Sequence, residues 1–559
     1  MPNGAGFSYK GKTLVSGGDP AGRAERAVSA LEISDRTLYL CPSPLFAHGL
    51  DLLLRRLAGT SSSAVLCVEA EPELFPLAAE NMKSMLGNRL LRLVSCTDTG
   101  ELCAYARREW PLRNFAGVKT VRLNGGWQLH RSLYDEFELA LRKEIACELG
   151  NAMTLAKLGR RYARNAVRNL SLLPSCSFLS GLSFGNSPVL LLAAGPSLDK
   201  TLDLLRKRCG DGLCNREKRL FRIVCVDTCL PVLAQRGITP DLVVVLESQH
   251  WNLLDFTGLS GWKVPVAMDL SALPRSAGVL GGVFLFFTPW TQLSLLRRLA
   301  SSGLLPPPVP ALGSVGLSAT AIALSLSSGP VVASGLDFSF TADMFHARSS
   351  PGHASVLRRQ TRLSGLVNAG AAFGDTVFKA TAKNGANVLS TPGLRNYRDM
   401  FEREFAGGKD AARLFDIEGS GLPLGLEPLP HEKAFDILCT GGVKQEKSSG
   451  IYGGGSANAE VKAQVLKDFA ATEKSRLLRL REMLTGTVAA GPDEMVLLFG
   501  ECDYLWAHFP DYAAGLPPPS AAELEGRTQS AVSFLKRIRA EIDPFLALWS
   551  RIDGSAASV

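Results

Sequence analysis

Apolar residues fall along this chain in two alternating patterns: short unbroken runs rich in Val, Ile, Leu and Phe, and longer segments in which they return every three or four positions. The first pattern predicts strands and the second helices, beginning with TLYL, a helix through Leu45 to Ala58, the strand SAVLCVEAE and a helix through Leu74 to Met85. Glu69 ends the second of these strands, a place where an acidic residue often holds a ribose. The turn after the first strand, CPSPLFAHG, lacks the closely spaced glycines that let a phosphate approach the backbone, which points to a degenerate, non-catalytic α/β unit.

Residues 132–170 carry a helical pattern rich in Arg and Leu, read as a connecting layer. From Ser187 the alternation resumes with PVLLLAA, FRIVCVD, DLVVVLE, VPVAMD, GVFLFF and PVVASGLD, separated by helical stretches. Runs apolar on both faces suit a parallel sheet covered on both sides, so the predicted fold class is α/β with a doubly wound central sheet. Near Lys444 the composition turns to Gly, Ser and Lys, as in a flexible linker. Beyond it, Glu460–Leu484, Asp493–Phe509 and Ala521–Ile552 show helical spacing and predict a small bundle. The expected division is an α/β domain over 1–135, a helical connector over 136–170, the central domain over 171–440, a linker over 441–458 and a helical domain over 459–559.

Composition changes this picture little. With 46% apolar and 20% charged residues over 559 positions, the chain reads as several globular domains. The excess of 61 basic over 53 acidic residues gives +8, but no long Lys/Arg block marks a nucleic-acid partner. The twelve cysteines are scattered, several inside apolar runs, with no C-x-x-C pair or zinc spacing, so they read as reduced core residues and no metal is implied. Met1 to Gly18 lacks the basic and apolar parts of a secretory signal, and the longest uncharged stretch, Arg298 to Asp337, is broken by Pro306, Pro307, Pro308 and Pro310. A cytoplasmic location without a transmembrane segment is expected.

Three segments carry candidate chemistry. Ala193–Lys200, AAGPSLDK, follows a strand and precedes a helix: Gly195 allows close backbone approach, Pro196 sets a turn, Ser197 can cap the helix, and the amides up to Leu198 can receive a phosphate. A plain tight connection is the competing reading. Val224–His250 places Asp227 and Thr228 after one strand, and Glu247, Ser248 and Gln249 after the next, where open α/β sheets bind ligands. In Gly313–Ala347, Gly313 and Ser314 offer a second close approach, Asp337 ends a strand, and His346 stands on a polar loop as a candidate general base.

In this order the three segments resemble the central domain shared by the motility-associated-factor (Maf) flagellin glycosyltransferases and the MptE-type 6-hydroxymethylpterin diphosphokinases. The matching pieces are G-P-S-L-D at Gly195–Asp199, D-T at Asp227, G-I-x-P-D at Gly237–Asp241, G-S-V at Gly313 and G-x-D…H from Gly335 to His346. Asn387–Glu404, NVLSTPGLRNYRDMFERE, looks like the family's closing strand and helix. The G-x-G-P-S-L turn is also similar to that of CMP-sugar sialyltransferases, with Ala193 here in place of its first glycine.

The resemblance implies a Rossmann-like, sialyltransferase-like central sheet, and the flanking domains favour the glycosyltransferase over the diphosphokinase. It implies a CMP-activated nonulosonic acid as donor and flagellin as acceptor. Gly195, Pro196, Ser197 and Leu198 would hold the departing phosphate, and Asp227, Thr228, Glu247, Ser248 and Gln249 the base, ribose and sugar, with Gly313 and Ser314 close by. His346, or failing it Asp337, would take the acceptor's proton. The alternatives are an MptE-like pyrophosphokinase using ATP and Mg²⁺, and a non-catalytic flagellar assembly or sugar-nucleotide-binding protein.

Overall fold

The computed structural model describes residues 6–60, 62–259, 261–363, 365, 372, 374–440, 456–489 and 491–554. The expected linker lies outside the described residues over 441–455, and 456–458 open a helix. The chain divides into two compact units, Met1–Gly159 with Trp506–Pro518, and Arg160–Leu505 with Pro519–Val559. The division falls inside the helix Arg131–Leu170 rather than at 135 or 170, and most of the C-terminal helices group with the central domain instead of forming their own.

In the first unit a hairpin, β1 (Phe7–Tyr9) and β2 (Lys12–Val15), precedes a parallel sheet of β3 (Thr37–Pro42), β4 (Ala64–Glu69), β5 (Leu91–Ser95) and β6 (Gly117–Thr120), in the order β5-β4-β3-β6. The helix expected from Leu45 starts only at Leu50, because Ser43, Leu45 and Ala47 all take left-handed φ angles of 46°, 48° and 57°. Each such residue costs roughly 1–2 kcal/mol. Glu69 offsets part of this: fully buried, it accepts the Ser43 hydroxyl at 2.8 Å and the Glu71 amide at 3.1 Å. Its carboxylate therefore anchors the strained turn and is not open to a ribose, which corrects the expectation for this residue.

The second unit is built on a sheet of nine parallel strands, ordered β17-β16-β13-β8-β9-β10-β11-β12-β7. The strands are β7 (Ser177–Phe178), β8 (Val189–Leu192), β9 (Arg222–Val226), β10 (Leu242–Val245), β11 (Val266–Asp269), β12 (Val283–Phe286), β13 (Val331–Ser334), β16 (Leu414–Ile417) and β17 (Pro428–Leu429). β8, β10, β11 and β13 are buried along their whole length, as runs covered by helices on both faces must be. From β8 the chain builds outward through β9 to β12, then returns to place β13 on the opposite side of β8. The order reverses between β8 and β13, and ligands of open α/β sheets bind at the carboxyl ends beside such a reversal.

The expected closing strand Asn387–Ser390 (β15) pairs antiparallel with Phe378–Thr381 (β14) in a separate hairpin, followed by the helix Pro392–Phe401. The helices Ser456–Thr485 and Gln529–Asp553 belong to the same unit. Arg298, on the helix Ser294–Ser301 that follows β12, grips the fully buried Glu473 of the first of them through two bonds of 2.7 and 2.9 Å. Among the described residues no helix is long and apolar enough to cross a membrane.

Candidate functional site

At the reversal, the turns after β8 and β13 interlock. Gly335 takes φ +77°, and a Cβ there would collide with the Ala193 carbonyl oxygen; a Cβ on Gly195 would lie 2.5 Å from both the Gly335 carbonyl and Asp337 Oδ2. Both positions therefore need glycine for contact between two protein segments. The Gly195 amide donates to the Gly335 carbonyl at 2.9 Å, and the Leu198 amide to the Gly195 carbonyl at 3.1 Å.

Ser197 donates its amide to Asp337 Oδ2 at 2.7 Å and its hydroxyl to Oδ1 at 2.6 Å. Its side chain thus makes no cap on the helix Leu198–Cys209, contrary to expectation. Since Pro196 has no amide proton, the main-chain donors of Gly195 to Leu198 are all engaged by the protein itself. The expected phosphate cradle holds the Asp337 carboxylate, and an external anion would have to displace it.

A cavity of about 140 Å³ opens against this elbow, lined among others by Gly195, Thr228, Ser314, Asp337 and His346. That volume suits a phosphate or carboxylate group, being below the roughly 300 Å³ of a site enclosing a whole drug-sized ligand. The helix Val315–Leu326 points its first turn into it: Ser314 stands at the N-cap without a side-chain capping bond, and Ser314, Val315 and Gly316 all line the wall. Unpaired N–H groups and the positive end of the helix dipole favour an anion at such a place. Gly313, at φ +69°, lies just outside, with the Tyr397 ring 3.3 Å from where a Cβ would stand.

His346 is half-buried on the cavity wall, its ring edge-on to Phe345 at 4.9 Å. Burial lowers its pKa, so the imidazole is neutral at pH 7 and able to accept a proton. Asp337 is 1% exposed. Burial pushes its carboxyl up, opposed by the two Ser197 bonds and by the Lys383 ammonium.

The other predicted residues stand apart from the cavity. Asp227 lies behind Thr228, buried, with Oδ1 on the Thr228 amide at 2.9 Å and Oδ2 on Asn252 Nδ2 at 2.6 Å. Asn252 also donates to Asp255 at 3.2 Å, and burial raises Asp227 to about 6 and Asp255 to about 8. Glu247 is exposed and accepts the Gln249 amide at 2.8 Å; Ser248 is buried, its carbonyl taken by Asn165 at 3.1 Å. None of Glu247, Ser248 and Gln249 lines the cavity, and Leu198 is fully buried in the core. Asp241 serves the fold, binding Arg216, Arg219 and Arg222 at 2.8, 2.8 and 3.2 Å.

Asn252, Lys383 and Asp416 escaped the sequence reading. Lys383 stands in the turn of a hairpin outside the main sheet, and Asp416 is an acid inside a four-residue strand, LFDI. A larger cavity, about 700 Å³, is lined by apolar side chains such as Leu172, Leu253 and Val279 with glycines and Arg275, and contains no predicted site residue.

Residues 160–343 match the family described as 6-hydroxymethylpterin diphosphokinase MptE-like, a span that includes the elbow and Asp337 and stops before His346. A solved Maf glycosyltransferase from Magnetospirillum magneticum AMB-1 aligns over 99% of this chain and 92% of its own, with TM-score 0.55 and 14% identity, which establishes a shared fold. An uncharacterized protein of Treponema pallidum (strain Nichols) is 30% identical over 99% of this chain and 95% of its own length. The chain belongs to one family with that Treponema protein, carrying an MptE-like domain within the fold of a Maf glycosyltransferase.

Proposed function

We propose that this protein transfers a nonulosonic acid, of the pseudaminic or legionaminic type, from its CMP conjugate to a Ser or Thr hydroxyl of flagellin. The observation that carries the reading is the cavity at the sheet reversal, where a helix N-terminus and a neutral histidine face the same small volume. The likeness to a Maf glycosyltransferase fold supports it.

In this reaction the bond from the anomeric carbon to the phosphate oxygen breaks, its electron pair leaving with CMP while the sugar gains oxocarbenium character. Ser314 and the amides opening the helix Val315–Leu326 are better placed than the engaged elbow to stabilise the departing phosphate. The acceptor oxygen forms the new bond to the anomeric carbon, and His346 takes its proton. The cavity holds only the reacting group, so the rest of the donor would lie outside it.

The test is the intact mass of flagellin made with and without this protein in cells that produce the donor. A mass gain that His346→Ala abolishes is the expected result, and an unchanged mass counts against transfer. The family description names a diphosphokinase, so pyrophosphate transfer from ATP with Mg²⁺ to a hydroxymethylpterin is the second reading. Nucleotide release dependent on ATP and Mg²⁺ would favour it, and CMP-sugar binding without turnover would favour a binding role.

A further inference from the structure

Behind the elbow lies a buried set of charges that the proposed reaction does not use. Lys383, in the turn between β14 and β15, is 3% exposed in its side chain and places its ammonium 2.7 Å from both oxygens of Asp416, itself 1% exposed. Asp416 is on β16, the neighbour of β13, whose following turn carries Asp337. The loop after β16 then folds over the elbow: a Cβ on Gly419 would lie 2.9 Å from Ser197 Cβ, and one on Gly421 would lie 2.7 Å from Asp337 Cα. The Lys383 amide donates to the Gly421 carbonyl and the Leu422 amide to the Asp337 carbonyl, at 2.9 and 2.8 Å. Two carboxylates and one ammonium are thus buried together around Ser197.

We infer that Lys383, shared between Asp416 and Asp337, is the positioning residue that keeps the Asp337 carboxylate charged and so keeps the elbow closed on it through Ser197. Water cannot stabilise a carboxylate that is 1% exposed, so its charge rests on the two Ser197 donors and on the Lys383 ammonium, whose turn packs on it through Gly421. Other charged groups on the packed elements are turned to partners of their own: Glu418 to His431 at 2.9 Å, and Asp199 to Arg236 at 2.7 Å. His346 faces the cavity and is uncharged at neutral pH. Asp416 pulls the other way, since its negative charge repels that of Asp337 and its two bonds to Lys383 draw on the same ammonium.

This arrangement distinguishes positioning from plain packing, because the two partners of the pair have opposite effects on Asp337. The test is the pH dependence of thermal unfolding of the full chain and each variant, with the part due to Asp337 found by subtracting the same curve in Asp337→Asn. Lys383→Met removes the cation and leaves Asp416, so the Asp337 midpoint should rise by about one pH unit or more. Asp416→Asn leaves the cation and frees it to turn to Asp337, so the midpoint should fall by a similar amount. Lys383→Arg should keep it near the native position. If Lys383→Met does not fold, the fall in Asp416→Asn and the unchanged Lys383→Arg decide the matter. Loss of melting temperature with no movement of the midpoint, or movement in one common direction, overturns the inference. No nucleotide enters the measurement, so the result stands apart from whether flagellin gains mass.

Discussion

Ser197 gives both of its donors to Asp337, its amide at 2.7 Å and its hydroxyl at 2.6 Å. A turn whose sequence suggests a phosphate cradle is held shut by a carboxylate from the far side of the sheet reversal, and this decides what substitutions at the site should do.

Asp337→Ala leaves the Ser197 amide buried without an acceptor and should lower stability by about 1–3 kcal/mol. Ser197→Ala removes one of the two donors and should cost less, about 1 kcal/mol, because the amide bond survives. Denaturant unfolding of both variants at pH 7 checks the order. Equal losses would mean that the hydroxyl, not the amide, holds the turn.

Gly335→Ala should be the more damaging glycine substitution in the elbow region. Its φ of +77° strains any other residue, and the added methyl collides with a backbone carbonyl that cannot rotate away. A loss of roughly 2–4 kcal/mol is expected from the two effects together. Introducing alanine at Gly421, where a Cβ meets Asp337, should disturb the pH profile of stability as well as its size. Melting curves across pH 5 to 9 separate the two.

His346 sets the acid side of the pH dependence. Its folded-state pKa lies below the ordinary value of about 6.5, so protonation favours the unfolded chain. The stability this group contributes is complete above about 6.5 and is lost as pH falls through the lowered value. The proposed transfer should therefore stay level from pH 8 down to about 6.5 and decline only below it, while His346→Ala should lose roughly 10²–10⁴-fold in rate and show no such decline. Single-turnover transfer measured against pH tests both statements.

Asp227 and Asp255 share the Asn252 side chain and are raised to about 6 and about 8 by burial. A carboxyl raised on folding contributes stability at low pH that is lost as pH rises, here across the window from about 4 to 8. Asp255→Asn removes the larger part of that loss. It should leave the chain nearly unchanged at pH 5 and more stable than the native one at pH 8.5, by about 1–3 kcal/mol. Urea unfolding at the two pH values checks it.

Much of the second unit was legible in the sequence. β8 to β13 were all marked by apolar runs because a parallel strand covered on both faces must be apolar at every position. β7 and β17, two residues each, and β16, with Asp416 in its run, gave no such mark and owe their place to pairing with neighbours. The site was legible in part. Local turn chemistry located Gly195, Thr228, Ser314, Asp337 and His346, and the fold gathers them around one cavity. What the turns face depends on residues far along the chain, so the engagement of Ser197 by Asp337, of Asp227 by Asn252 and of Asp416 by Lys383 left no local trace. Glu247, Ser248 and Gln249 share the carboxyl side of the sheet with the cavity yet do not reach it.

The elbow and the carboxylate that closes it are separated by 140 positions, with β9 to β13 formed in between. Closing so long a loop carries an entropic cost that the strands between must offset, so these contacts should form only once β9 to β13 are in place. A growing chain on the ribosome therefore carries no complete cavity until residues beyond Leu394 have emerged, and fragments cut before Leu394 lack part of its wall.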